Sequence, residues 1–191
     1  MKFSVSLVSL VAAASSVAAH GVITTPSPRV VGAANQAACG TGAYTVLKSD
    51  KAGPIENAVA KIDSSFDAQA CQLFFCKGYQ LEDNIKNTRK YAPGTVVPIH
   101  VDLIAHHTGS ANVSVVNLAT QETIGKPLFL WPVYANDSLG PSAWPKNETD
   151  FEITIPDLGS QCSTVGACAI QWWWYASKVR QTYESCIDFT Q

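Results

Sequence analysis

Four stretches of this chain favour an extended backbone, three of them mostly with a period of two, and nothing else in the sequence constrains the fold as tightly. In TVVPIHVDLIA (95–105), Val97, Ile99, Val101 and Leu103 are apolar while His100 and Asp102 fall on the other side. NVSVVNL (112–118) repeats the pattern with Val113 and Val115, and FEITIPDL (151–158) repeats it with Phe151, Ile153 and Ile155. CAIQWWWYA (168–176) is a further β-rich run. Side chains alternate across a strand, so each such segment presents one face to a core. Within Trp172-Trp173-Trp174-Tyr175 the same rule puts at least one tryptophan inside. Short alternating strands divided by Gly, Pro, Asn and Ser segments predict an all-β sandwich. Long loops are expected between Cys39 and Val96. One helical signal stands out in PIENAVAKIDSSF (54–66), where Ile55, Val59, Ile62 and Phe66 recur at helix spacing behind Pro54.

The first nineteen residues, MKFSVSLVSLVAAASSVAA, carry one early charge, Lys2, then an apolar run and a small-residue end. That is the layout of a secretory signal peptide, with cleavage expected after Ala19. Residues 20–191 are expected to form a single domain. The run is too short for a membrane span and no other stretch reads as one. The whole chain has 13 Lys and Arg against 15 Asp and Glu, a formal charge of −2, and no basic run. Neither nucleic acid nor a membrane surface is an expected partner, and a monomer is expected. An even set of six cysteines in an exported chain predicts three disulfides. Short spacing favours Cys71–Cys76 and Cys162–Cys168, which would leave Cys39 with Cys186. Asn112, Asn136 and Asn147 begin N-glycosylation sequons.

Only four histidines are available for chemistry: His20, His100, His106 and His107. His100 lies on the polar side of a strand, and the His106-His107 pair lies in a loop before Thr108-Gly109. Cleavage before His20 would expose an α-amine and a ring Nδ1 on the same residue, which together chelate one metal ion. Deprotonating an α-amine of pKa ~7.7–8.0 costs little at neutral pH. A third nitrogen from a loop imidazole completes a planar set, the geometry favoured by Cu(II) rather than by tetrahedral zinc. Near the other end of the sequence, Gln181 and Tyr183 share one face of an extended segment and offer a phenol and an amide to such a site. No nucleophile elbow marks a serine hydrolase, and no motif frames a pair of catalytic carboxylates.

HGVITTPSPR, AHHTGSANVS, PKNETDFEITIPDLGSQCS and QTYESCIDF, in this order, resemble the copper-dependent lytic polysaccharide monooxygenases. The nearest resemblance is to the fungal family numbered sixteen among the auxiliary-activity enzymes. It implies an immunoglobulin-like or fibronectin-like β-sandwich with long loops and one or two short helices. It also implies a copper ion in a histidine brace: His20 gives amine and Nδ1, His107 (or, with the register shifted by one, His106) gives Nε2, Tyr183 stands axial, and Gln181 lies beside it. The implied activity is secreted, oxidative cleavage of crystalline polysaccharide, cellulose or a related β-glucan, at C1 or C4. The co-substrate would be O2 or H2O2, with a small molecule or an enzyme as electron donor. Tyr44, Trp131, Tyr134 and Trp144 are candidate sugar platforms. Two other functions share parts of this pattern: a copper-handling protein with the same brace, and a non-catalytic carbohydrate-binding sandwich.

Overall fold

The computed structural model describes residues 20–191. The signal-peptide segment, 1–19, lies outside the described residues. The alternating stretches become strands of an immunoglobulin-like or fibronectin-like β-sandwich. One sheet has the order β1 (His20–Thr25), β3 (Val96–Ala105), β6 (Asp150–Thr154). The other has the order β2 (Arg89–Lys90), β8 (Gln181–Thr190), β7 (Cys168–Ala176), β4 (Gly109–Asn117), β5 (Glu122–Tyr134).

The core lies between the sheets and uses the faces that the alternation selects. Val97, Ile99 and Val101 of β3 meet Val113 and Val115 of β4, Phe151 and Ile153 of β6, and Ile155 just beyond it. Leu103 packs at the margin. Trp172 and Trp174 are fully buried, whereas Trp173 and Tyr175 lie half-buried on the outer face, their rings stacked 6.1 Å apart. Trp131 and Tyr134 belong to β5 and to the core, so they form no sugar platform.

Residues 39–49, expected as loop, belong to a helix. Helix α1 (Ala33–Ser49) buries Asn35, Cys39, Ala43 and Leu47 four apart, a stripe too small and polar to stand out as amphipathic. Its caps come from distant segments: Asp83 accepts from the Ala34 and Asn35 amides, at 3.0 and 2.8 Å. The helix breaks at Gly40 (φ 74°), and Asp63 then accepts from the Gly42 amide at 2.7 Å. The same Asp63 explains why the expected helix over 54–66 stops early. Only α2 (Ile55–Val59) forms, because the chain turns so that Asp63 and Ser65 can cap α1. Val59 and Ile62 are consequently 38% and 42% exposed.

The disulfides are Cys39–Cys71, Cys76–Cys186 and Cys162–Cys168. The last matches expectation; Cys71–Cys76 and Cys39–Cys186 do not form. Cys71 faces the small core under α1, while Cys76 faces the outer side of the large sheet beside Val116, Ala169 and Cys186. The intervening segment passes between helix and sheet, so its two cysteines point to opposite sides. Among the described residues no helix is long and apolar enough to cross a membrane.

Candidate functional site

Strand register brings the distant candidate residues to one end of the sandwich. His20 opens β1 opposite Ala105, the last residue of β3, and the 106–108 loop then crosses to the other sheet. Early in β4, Ser110 pairs with Tyr175 near the end of β7. Across the next turn, Ala176 pairs with Gln181 and Trp174 with Tyr183. His20, His107, Gln181 and Tyr183 therefore occupy neighbouring strand ends.

Gly21 lets His20 sit close over the core. A Cβ at that position would stand 3.1 Å from the Trp172 ring and 3.2 Å from the Trp174 ring. The Gly21 amide donates to the Ala52 carbonyl at 3.0 Å, tying β1 to the turn after α1. That turn begins with Asp50, whose Oδ2 lies 2.8 Å from His20 Nε2. A neutral ring that donates from Nε2 keeps its lone pair on Nδ1, the atom nearer the main chain.

Tyr183 is buried, its ring stacked on Trp174 at 4.4 Å, and its hydroxyl donates to Gln181 Oε1 at 2.7 Å. Burial raises the pKa of this phenol far above its ordinary value, and the nearby Glu56 and Asp50 charges add to the effect. The group stays protonated at any physiological pH.

Two anchors hold the His106-His107 loop. His106 stacks on Trp144, ring centres 3.5 Å apart and planes at 16°, and burial lowers its pKa. Thr108 donates to Asp137 Oδ1 at 2.6 Å and accepts from the Asp137 amide at 3.0 Å. Gly109 is required by crowding, since a Cβ there would lie 2.0 Å from the Tyr175 carbonyl oxygen. His107 thus sits half-exposed between two fixed neighbours, while the His106 ring is already engaged.

His100 lies on the outer face of the smaller sheet and is engaged there. Its Nδ1 is 2.6 Å from Asp150, and its Nε2 is 3.3 Å from Asp102. The Asp150 hydrogen bond is the main reason its pKa is raised. The stability this pair contributes is therefore complete below the unfolded value of about 6.5 and fades as pH rises through the raised one. An NMR titration is expected to place the His100 midpoint above that of an exposed histidine, and Asp150→Asn to return it towards 6.5.

Asp50 escaped the sequence reading. It ends a helix thirty positions from His20 and belongs to no motif, so only the folded chain shows the contact. Among the described residues no group of three or more His, Cys, Asp or Glu side chains is arranged to hold a metal ion.

No curated protein sequence matches the chain. Among solved structures, an auxiliary-activity family ten lytic polysaccharide monooxygenase from Streptomyces lividans superposes with a TM-score of 0.50 at 17% identity, covering 90% of this chain and 100% of that one. A chitin-binding domain from Burkholderia pseudomallei gives 0.47 at 13% identity, with coverage of 90% and 100%. The cellulose-active monooxygenase CelS2, solved with copper, gives 0.46 at 15% identity, with coverage of 90% and 98%. The Streptomyces lividans likeness supports the sandwich fold. These matches give no support to a special nearness to the family numbered sixteen. The pattern of the family described as "Lytic polysaccharide mono-oxygenase, cellulose-degrading" matches residues 20–189, almost all of the described chain, and the chain belongs to that family.

Proposed function

We propose that the chain, cut before His20 and exported, is a copper-dependent monooxygenase of cellulose or a related β-glucan. The observation that carries this reading is the 2.8 Å contact of His20 Nε2 with Asp50, which holds the imidazole by the ring nitrogen farther from the main chain. A metal-bound histidine ordinarily donates its other ring nitrogen to such a carboxylate. The donor set fits copper, because two imidazoles and an amine are nitrogen ligands suited to a tetragonal site. When bound, copper supplies the one-electron chemistry by which one oxygen atom, from H2O2 or from O2 with an external electron donor, enters a C1–H or C4–H bond of a glucose unit.

The chain's own groups have separable tasks. His20 binds through amine and Nδ1, and His107 through Nε2. Tyr183 offers a phenol oxygen whose proton is directed to Gln181 Oε1. Gln181 retains its amide N–H groups to donate to an oxygen of the co-substrate. Trp144, half-exposed and braced by His106, gives an apolar face on which a sugar ring can pack. Export also suits the three disulfides and the three sequons. Asn112 lies half-exposed on β4 and Asn147 lies exposed in the turn before β6.

The test is Cu(II) titration of protein that starts at His20, with an assay of cellulose incubated with ascorbate. One tightly bound copper per chain and oxidised oligosaccharide ends are expected. Tight binding without product on cellulose or chitin would favour copper handling, and neither binding nor product would favour a carbohydrate-binding sandwich. Substitution separates the two loop histidines. His107→Ala is expected to weaken Cu(II) binding by more than 100-fold, about 2.7 kcal/mol. His106→Ala, losing only the ring stack on Trp144, is expected to change affinity by less than tenfold. Calorimetric titration of both variants reads the difference.

A further inference from the structure

Resting on the reading of His20 as a copper ligand, we infer that Asp50 and Lys77 are its positioning residues: Asp50 fixes on which ring nitrogen of His20 the proton sits, and the buried Lys77 ammonium fixes the turn that carries Asp50. Lys77 is 2% exposed, and its Nζ donates to the carbonyls of Lys51 at 2.6 Å and Gly53 at 2.7 Å. The carbonyl between them, on Ala52, accepts from Gly21, the residue next to His20. Three successive carbonyls of one turn are thus committed, two to the ammonium and one to the strand that presents the ligand. Gly53 completes the arrangement by leaving room for the Asp50 carboxylate, which a Cβ there would strike.

The ammonium is delivered from the opposite side by a costly piece of backbone. Cys76, Lys77 and Gly78 all have positive φ, at 50°, 59° and 69°. Two of the three are not glycine, and such conformations persist only where the surroundings enforce them. Two ties enforce this one: the Cys76–Cys186 disulfide and the bond of the Lys77 amide to Glu184 Oε2 at 2.9 Å. Both anchors are on β8, the strand that also carries Tyr183. A continuous set of bonds therefore runs from β8 through Lys77 to the 51–53 turn, and from there to both Asp50 and Gly21. Burying a lysine costs free energy unless its donors are used, and a methylene-rich side chain would have filled the space without that cost. What the ammonium adds is direction, because it holds carbonyls at set positions.

The experiment uses metal-free, 15N-labelled protein beginning at His20, in which long-range proton–nitrogen correlation shows which ring nitrogen carries the proton. The native protein is expected to hold the proton on Nε2. In Asp50→Ala the ring becomes a mixture of tautomers and Cu(II) affinity falls 10- to 100-fold. In Lys77→Met the same mixture appears with Asp50 intact, and the Gly21 amide exchanges faster. The native protein alone provides a check should Lys77→Met not fold: a buried, hydrogen-bonded ammonium gives a slowly exchanging 15N signal, and its absence overturns the role of Lys77. If copper binds tightly but Asp50→Ala changes neither tautomer nor affinity, the positioning role is overturned and the proposed function stands. If the native ring is fixed and Asp50→Ala releases it while no copper binds, the positioning stands and the copper reading falls.

Discussion

Protein made with one extra alanine ahead of His20 is expected to unfold at the same temperature as the protein that starts at His20, yet to lose about three decades of Cu(II) affinity, roughly 4 kcal/mol. The fold is spared because β1 pairs with β3 through the backbone of residues 20–25, which the added residue leaves intact. The affinity is not spared, because the extension turns an amine into a peptide nitrogen. That lone pair is delocalised into the neighbouring carbonyl and no longer binds a metal at neutral pH. Nδ1 of His20 and Nε2 of His107 then remain without the third nitrogen. Paired thermal melts and copper titrations read both halves of the result, and equal affinities would remove the brace.

Replacing Cys76 and Cys186 together by alanine is the substitution expected to cost most stability. Their disulfide spans 110 residues, against 32 for Cys39–Cys71 and 6 for Cys162–Cys168. On the chain-entropy account a loop of about 100 residues is worth ~4.7 kcal/mol, and one of 6 residues about 2 kcal/mol. For a domain of this size the larger figure corresponds to a fall in Tm of roughly 10–20 °C. Thermal and urea unfolding of the three double-alanine proteins should rank them in that order. Equal losses would mean that loop length does not govern the effect.

What the sequence made legible was what a short window contains. Alternation found the core faces of β3, β4 and β6 and required at least one tryptophan of β7 inside, where Trp172 and Trp174 lie. What it concealed depends on partners far along the chain. Helix α1 starts on Asp83 and restarts on Asp63, so its sequence carries no cap of its own. Cys71 and Cys76 are near in sequence and belong to different packing clusters. The candidate site divides the same way. His20, His107, Gln181 and Tyr183 stood out through residue type and resemblance, whereas Asp50 has no marker until the turn after α1 folds against β1.

Strand order has a consequence for how this protein comes into being. β8 is an interior strand of the larger sheet, flanked by β2 and β7. It contributes Tyr183, Ile187 and Phe189 to the core between the sheets. During synthesis that sheet stays open until residues 181–190 have been added, with the apolar faces of β4, β5 and β7 waiting uncovered. At about 5–20 residues per second, the earlier strands wait seconds for β8 before the core can close. Folding is therefore governed by the arrival of one late segment, the kind of long-range pairing that folds slowly. A chain interrupted anywhere before β8 lacks at once an interior strand of its larger sheet, the partner of Cys76 and the phenol of the candidate site.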